Sequence, residues 1–544
     1  MLKLLESKIF FFLTTTIIIL SLNLTPLVLQ YSHSPPGRTF ALIHNNTQDF
    51  FFYQSLMNQG AEGSLLTRDS YTSEPHHSSI IFSYFLWFGK ISNLLNIPYP
   101  IMYHLIRILF AILFLLSAYF LLFAFSVPHP RLTYFLFLFA APLMHQIEDG
   151  GTTREVEYMY WWTGMDPIRR AAYLPHHAIG AFLLVLSMIL IVRFIKKPQR
   201  KYIIWLSIFA IILAFIHTPS LFILLITLPG ALFIYNLNFI KNFKFQISNY
   251  FPLLVYWFIG LLALLFMVSQ TQKGFPWSQY IEWEKSLQFP LDKELIGAFG
   301  FLFPFSLVGI VKALKTKEFP FILVATWFIF PLFLIPFSPM LNISNIRLIQ
   351  GIPYLPLAIL GVLGMKTIGN LLLKTPLPFF SRLKNWHIIS IWYGIFTILF
   401  IIFTFPTLIW SIKDQIREFW AIYGNVYFDN RLIEAFSFMN QKLPQNTVTV
   451  ATFYAGNYIP AFTNTTSFIG HSGYTYNLSQ KEPLVKRFFE GNMSDQETRE
   501  FISSNNIDVV FQGPEEMILF GRELYPNVLR PIFNNGVVIL YKMI

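Results

Sequence analysis

The chain has 544 residues, of which 54% are hydrophobic and 18% aromatic but only 12% charged, about half the charged share of a soluble domain. That balance excludes an ordinary soluble globular protein and points to an integral membrane protein, while the absence of cysteine excludes disulfides and thiolate metal sites. The net charge of +11 does not call for nucleic acid: from residue 414 onward ten Lys and Arg face thirteen Asp and Glu, so the positive excess lies in short loops between apolar segments, where topology and anionic headgroups account for it.

The first apolar segment, 8–30, follows a basic end and carries no small-residue cleavage site, so it is expected to stay in the membrane as a helix. A long polar loop, 31–100, comes next. It contains "HNNTQDFFFYQSLMNQGAEG" (44–63), where Asp49 precedes three Phe and a Tyr. A helix is expected there, with the aromatics desolvating the acid, a setting that suits a base or a metal ligand. A helix-cap carboxylate is the other reading. Further on, "YTSEPHHSS" offers Glu74, His76 and His77, either as a polar loop or as a rim that positions a ligand. Segment 80–97 carries Gly89 and Lys90. If it spanned, every later basic loop would change sides, so an interfacial or re-entrant helix is expected.

Spans are then expected at 101–125 and 132–147, with Arg107 near the start of the first, suited to a phosphate or to snorkelling toward headgroups. The loop 148–175 gathers Glu148, Asp149, Glu155, Glu157 and Asp166 with two Trp, and ends against His176 and His177. Aromatics beside polar groups suit sugar binding, and equally an interface belt. The His pair next to acids is compatible with a divalent cation, although the ligand spacing is not tight. Further spans are expected at 176–195, 202–216, 219–236, 250–269, 295–312, 319–336, 351–370 and 387–411. His217 interrupts two of these in "HTPS", and an ionisable group at membrane depth marks a functional candidate. Arg347 follows the polar stretch "SPMLNISNIR" and precedes a span, where its fork of donors fits a phosphate; Lys273 and Lys285 are weaker candidates.

Basic clusters at Lys3 and Lys8, 196–201, Lys241 and Lys244, 312–317, and between Lys366 and Lys384 mark the cytoplasmic side. They give eleven spans with the N-terminus inside and the C-terminal part outside, which gathers the acids and histidines of the membrane half on the outer face. The expected organisation is an α-helical polytopic membrane domain over 1–413, with outer loops 31–100 and 148–175, and a small extracytoplasmic α/β domain over 414–544. In the latter, "NTVTVAT" and "IDVVFQG" read as buried strands, Ser494 with Glu497 as a capping box opening a helix, and Asn535-Gly536 as the turn of a hairpin.

An inside N-terminus, an early Asp in a long first outer loop, an interfacial helix within it, about eleven spans and an outer C-terminal domain together resemble the GT-C superfamily of membrane glycosyltransferases. The segments "PHH" (175–177), "HTP" (217–219), "GNYIPAFTN", "GHSGYT" and "NIDVVFQGPEE" are similar to segments of bacterial members, near the protein O-mannosyltransferase and aminoarabinose-transferase-like enzymes. The resemblance implies sugar transfer from a polyprenyl-phosphate donor on the outer face of the plasma membrane, to a lipid, polysaccharide or protein acceptor. It makes Asp49 the catalytic base or acceptor-orienting acid and Arg347 the grip on the lipid phosphate, with His176, His177, His217, Glu74, His76, Asp149 and Asp166 as substrate-binding candidates. Phe50 stands where protein O-mannosyltransferases often carry a second acid, which counts against metal-assisted or protein-mannosylating chemistry; no cofactor is expected, with a divalent metal left open. A transporter or a lipid-linked-precursor flippase without sugar transfer is the alternative. Paired, repeated halves would be its sign, and the sequence shows none.

Overall fold

Long apolar runs dictate helices, because backbone polar groups inside lipid must be satisfied within the segment itself. The computed structural model describes residues 2–237, 250–289, 293–350, 353–374, 385–421 and 426–544. Lys241, Lys244 and the 375–384 part of the last basic connector lie outside the described residues. Among the described residues, nine helices are long and apolar enough to cross a membrane: Lys8–Ser32, Tyr99–Ala124, Pro175–Lys196, Thr218–Leu237, Phe251–Gln270, Lys293–Lys315, Phe319–Phe337, Tyr354–Lys374 and His387–Ile416. The chain is a multi-pass membrane protein. The other two expected spans form shorter helices, Pro130–Phe139 and Arg200–Ile216. Pro142 stops the first of them, since proline disfavours a continuing helix before it.

The chain forms two compact units. The first comprises Met1–Pro26, Ile106–Leu265 and Glu284–Glu418, and the second Leu27–Leu105, Phe266–Trp283 and Phe419–Ile544. The second unit thus takes in the first polar loop as well as the C-terminal residues.

In the first unit the helix Phe303–Lys315 packs along Tyr354–Lys374, and Phe319–Leu334 packs on Thr218–Leu237. The acidic loop after residue 143 is an antiparallel hairpin, Met144–Asp149 with Thr152–Glu157, that turns on Gly150 and Gly151 at positive φ.

In the second unit a five-stranded sheet runs β2-β1-β3-β5-β4, where β1 is Val448–Val450, β2 Thr466–Ser467, β3 Val509–Gln512, β4 Leu529–Asn534 and β5 Ile539–Met543. The strands expected at 446–452 and 507–513 are β1 and β3, paired in parallel. The hairpin at Asn535-Gly536 joins β4 and β5, and Ser494 and Glu497 form the expected capping box. Val450, Phe468, Phe488, Val510 and Tyr541 centre the core.

Two helices carry the first polar loop: α1, Thr47–Ala61, and α2, Ser83–Leu94. The second is the helix expected within 80–97. They cross on a pair of glycines. A Cβ on Gly60 would lie 2.0 Å from the Leu86 carbonyl oxygen, and one on Gly89 would lie 1.8 Å from that of Met57. Neither obstacle is a side chain that can rotate away. Gly89→Leu is therefore expected to cost more than the roughly 1–3 kcal/mol of ordinary overpacking, and thermal unfolding of the detergent-solubilised protein measures it.

A second stability prediction comes from the helix Pro514–Leu519. Glu516 accepts the Thr452 amide at 2.7 Å and the Gly513 amide at 3.0 Å, and its neighbour Glu515 accepts the Thr452 hydroxyl at 3.0 Å. Burial first, and then the charge of Glu516, push Glu515 from its ordinary 4.5 up to about 7. The folded form therefore holds a proton that the unfolded chain releases. This contribution is complete below about pH 4.5 and is lost as pH rises through about 7. The unfolding temperature of the second unit should fall between pH 5 and pH 8, and Glu515→Gln should flatten that slope.

Candidate active site

Helix α1 begins at Asn46, whose side chain accepts the amides of Gln48 at 2.9 Å and Asp49 at 3.2 Å. The cap is therefore Asn46, and Asp49 sits one turn in with its carboxylate not spent on capping. The aromatic run after it packs inward. Phe51 meets Phe428 at 5.9 Å, Phe52 stacks on Tyr474 at 4.4 Å, and Tyr53 stacks on Phe85 at 4.3 Å. Asp49 stands in the first turn, and its side chain is 43% exposed. The desolvation expected from the sequence is not found although Phe52 and Tyr53, three and four positions on, share its side of the helix; its place at the start of α1 leaves the carboxylate open.

Tyr53 and Tyr474 lie within electrostatic reach of this carboxylate. Burial raises both phenols, and the charge of Asp49 adds to it, ranking second for Tyr53 and behind Tyr280 for Tyr474. His471 faces Asp49, with Nε2 3.9 Å from Oδ1. Nothing in the sequence pairs these two residues.

Glu74 and His76 hold the loop between the two helices. Glu74 meets the buried Lys481 ammonium at 2.7 Å and accepts the Thr72 hydroxyl. His76 accepts the Asp69 amide on Nε2 at 3.0 Å and donates from Nδ1 to the Glu74 carbonyl at 2.9 Å.

The second cluster lies in the first unit. His176 and His177 occupy the first turn of the helix Pro175–Lys196, and His217 immediately precedes the helix Thr218–Leu237. The rings converge, with centroids 4.6 Å apart for His176 and His177, 4.5 Å for His177 and His217, and 6.1 Å for His176 and His217. Gly180 makes the approach possible, since a Cβ there would lie 2.6 Å from that of His217. His217 Nδ1 meets the Ser220 hydroxyl at 2.8 Å, and its buried Nε2 has no hydrogen-bond partner among the described residues.

Arg347 lies within electrostatic reach of all three rings. It is also clamped by Glu284, which accepts Nε at 2.9 and 3.0 Å and binds Nη2 as well. Glu284 is buried and takes the Ser344 amide at 3.2 Å. Sequence reasoning missed this acid, which lies 63 positions away with no motif to signal it. Two helix N-termini and three imidazoles thus meet at one place, within electrostatic reach of the Arg347 guanidinium. Unpaired N–H groups and the helix dipole make such ends receptive to anions.

A cavity of about 80 Å³ opens beside this cluster, its polar wall formed by Trp162, Arg170, Tyr173, His177, Gln350 and Tyr354. Both amide atoms of Gln350 are buried without a hydrogen-bond partner among the described residues. Arg170 lies over the Tyr354 ring at 3.7 Å and donates to the Met165 carbonyl at 2.8 Å. No local pattern singles out Arg170, Tyr173 or Gln350 in the sequence.

The other sequence candidates have internal roles. Asp166 is buried, accepts the amides of Ile168 and Arg169 at 2.8 Å each, and takes the Ser411 hydroxyl. Asp149, at the hairpin tip, pairs with Arg154 at 3.0 Å and is 56% exposed. Arg107 is buried and donates to Asn23 Oδ1 at 2.8 Å and to the Ala172 carbonyl. Among the described residues, no group of three or more His, Cys, Asp or Glu is placed to hold a metal ion.

No protein-family model matches the chain, and no curated protein matches it by sequence. Solved structures do match. The oligosaccharyltransferase from Archaeoglobus fulgidus, tethered to an acceptor peptide containing the NVT sequon, superposes with a TM-score of 0.54 at 14% identity, over 93% of this chain and 69% of that one. The same organism's oligosaccharyltransferase AglB, in complex with an inhibitory peptide and a dolichol-phosphate, gives 0.54 at 13% identity, over 93% and 70%. ArnT from Cupriavidus metallidurans, bound to undecaprenyl phosphate, gives 0.45 at 11% identity, over 99% and 98%. The chain shares its fold with these Archaeoglobus fulgidus oligosaccharyltransferase structures.

Proposed function

We propose that this protein is a glycosyltransferase that moves a sugar from a polyprenyl-phosphate donor to an acceptor on the outer face of the plasma membrane. The observation that carries the reading is the polar cluster of His176, His177, His217 and Arg347 at two helix N-termini, in a fold shared with a transferase whose solved complex contains a dolichol-phosphate. In this reading the cluster holds the lipid phosphate and stabilises it as leaving group. Glu284 fixes the plane of the Arg347 guanidinium. Because that pairing offsets part of the charge, the helix ends and imidazoles share the work. The cavity beside His177 takes polar groups of the donor, with Gln350 supplying an amide.

Asp49 deprotonates or orients the acceptor hydroxyl. Its carboxylate, partly exposed at the start of a helix whose later turns are buried, is open to a substrate while its backbone is fixed. A lipid, polysaccharide or protein acceptor fits this chemistry equally.

The test uses purified protein in lipid vesicles and a polyprenyl-phosphate sugar labelled on the sugar. Label leaving the lipid fraction for an acceptor or for water supports the transferase. Label that crosses the bilayer still attached to its lipid would show a flippase.

A further inference from the structure

We infer that His471 is a positioning residue for Asp49, holding one carboxylate oxygen through its Nε2–H so that the other faces the acceptor. This inference rests on the proposed role of Asp49 and adds a second residue to it.

The imidazole tautomer follows from its surroundings. The Gly473 amide donates to His471 Nδ1 at 3.0 Å. An amide N–H needs a lone pair to receive it, so the neutral ring carries its proton on Nε2. That nitrogen is buried, has no hydrogen-bond partner among the described residues, and faces Asp49 Oδ1 at 3.9 Å. A hydrogen bond needs about 2.9 Å. The carboxylate is the partner able to close the gap, because it is 43% exposed while the His471 side chain is 7% exposed.

The ring itself is held on several sides. Its centroid lies 4.7 Å from that of Tyr474, 5.6 Å from Tyr71 and 5.7 Å from Phe52. The backbone amides of Gly470 and His471 both donate to the Thr475 hydroxyl at 3.1 Å, and that hydroxyl donates to the Tyr71 carbonyl at 3.0 Å. Ser472 donates from its amide at 3.0 Å and its hydroxyl at 2.9 Å to the side chain of Gln48, the residue before Asp49. The loop that carries His471 is thus tied to the same helical turn as the acid. Because Nδ1 is occupied, His471 cannot take the acceptor proton as a base; its remaining function is to donate.

Two replacements separate donation from ring packing. His471→Phe keeps a ring in the stack and removes the donor, whereas His471→Gln keeps an N–H near the Nε2 position and removes the ring. With labelled polyprenyl-phosphate sugar, His471→Phe is expected to lower kcat at least about tenfold with little change in donor KM, and His471→Gln to recover most of that loss. A fully active His471→Phe with an inactive His471→Gln would overturn the inference and leave packing as the role. A second measurement does not depend on transfer. In full-length protein labelled with ¹⁵N-histidine, the His471 ring should be protonated on Nε2, and that resonance should move in Asp49→Asn. A proton on Nδ1, or an Nε2 signal indifferent to Asp49→Asn, would also overturn it. If the signal moves while Asp49→Asn still transfers sugar, the contact stands and the proposed reaction falls.

Discussion

Asp49→Asn is expected to reduce sugar transfer by at least about 10²-fold, the lower range of what a general base contributes, while the protein remains folded and inserted. The substitution is nearly isosteric, and the residue neither caps α1 nor packs in the core. The cap belongs to Asn46, and the rings of Phe50, Phe51 and Phe52 fill the interior whatever stands at 49. What is lost is the proposed ability to accept a proton from the acceptor hydroxyl. Loss of a negative charge in the first helical turn costs at most about 1 kcal/mol, so unfolding curves of mutant and wild type should nearly coincide. Full activity of Asp49→Asn would remove this residue from the reaction.

Arg347→Ala is expected to impair both folding and transfer. Glu284 is buried and satisfied chiefly by the guanidinium, and an uncompensated buried charge costs about 3–5 kcal/mol. The same change would leave a carboxylate beside the cluster proposed to hold an anion, so donor affinity should fall along with stability. The two effects are separable. Replacing both partners, Arg347→Met with Glu284→Leu, removes the buried charge and should recover most of the stability, yet transfer should stay low. Arg347→Lys should keep a charge but lose the two-pronged contact. A double replacement that restored both stability and transfer would mean that Arg347 and Glu284 serve only the fold.

Much of the fold was legible because its signals are local. Apolar runs of span length gave the membrane helices, and Ser494 with Glu497 and Asn535-Gly536 marked a helix start and a turn by their own chemistry. The 144–157 hairpin takes in the end of the span expected at 132–147 and the start of the loop expected at 148–175, although Gly150-Gly151 carries the turn signal; its strands are too polar for the alternation that announces a half-buried sheet. His217 stood out because it breaks an apolar run, and the structure puts it beside His176 and His177. Asp49 is more exposed than its aromatic neighbours imply, because it stands at the start of α1 while the rings after it are buried in the turns that follow. His471 and Glu284 were beyond local reasoning. Each meets its partner only after the chain has folded over many elements, and neither spacing matches a helical or strand period.

The central claim is cleavage of a sugar–phosphate bond, and the product that reports it most directly is the lipid carrier. Purified protein in vesicles should be given polyprenyl-phosphate sugar labelled on the phosphate, together with a cell-envelope acceptor fraction. Wild-type protein is expected to release labelled polyprenyl phosphate without its sugar, and Asp49→Asn is not. A donor recovered with its sugar still attached, under conditions where the wild-type protein binds it, would contradict the account.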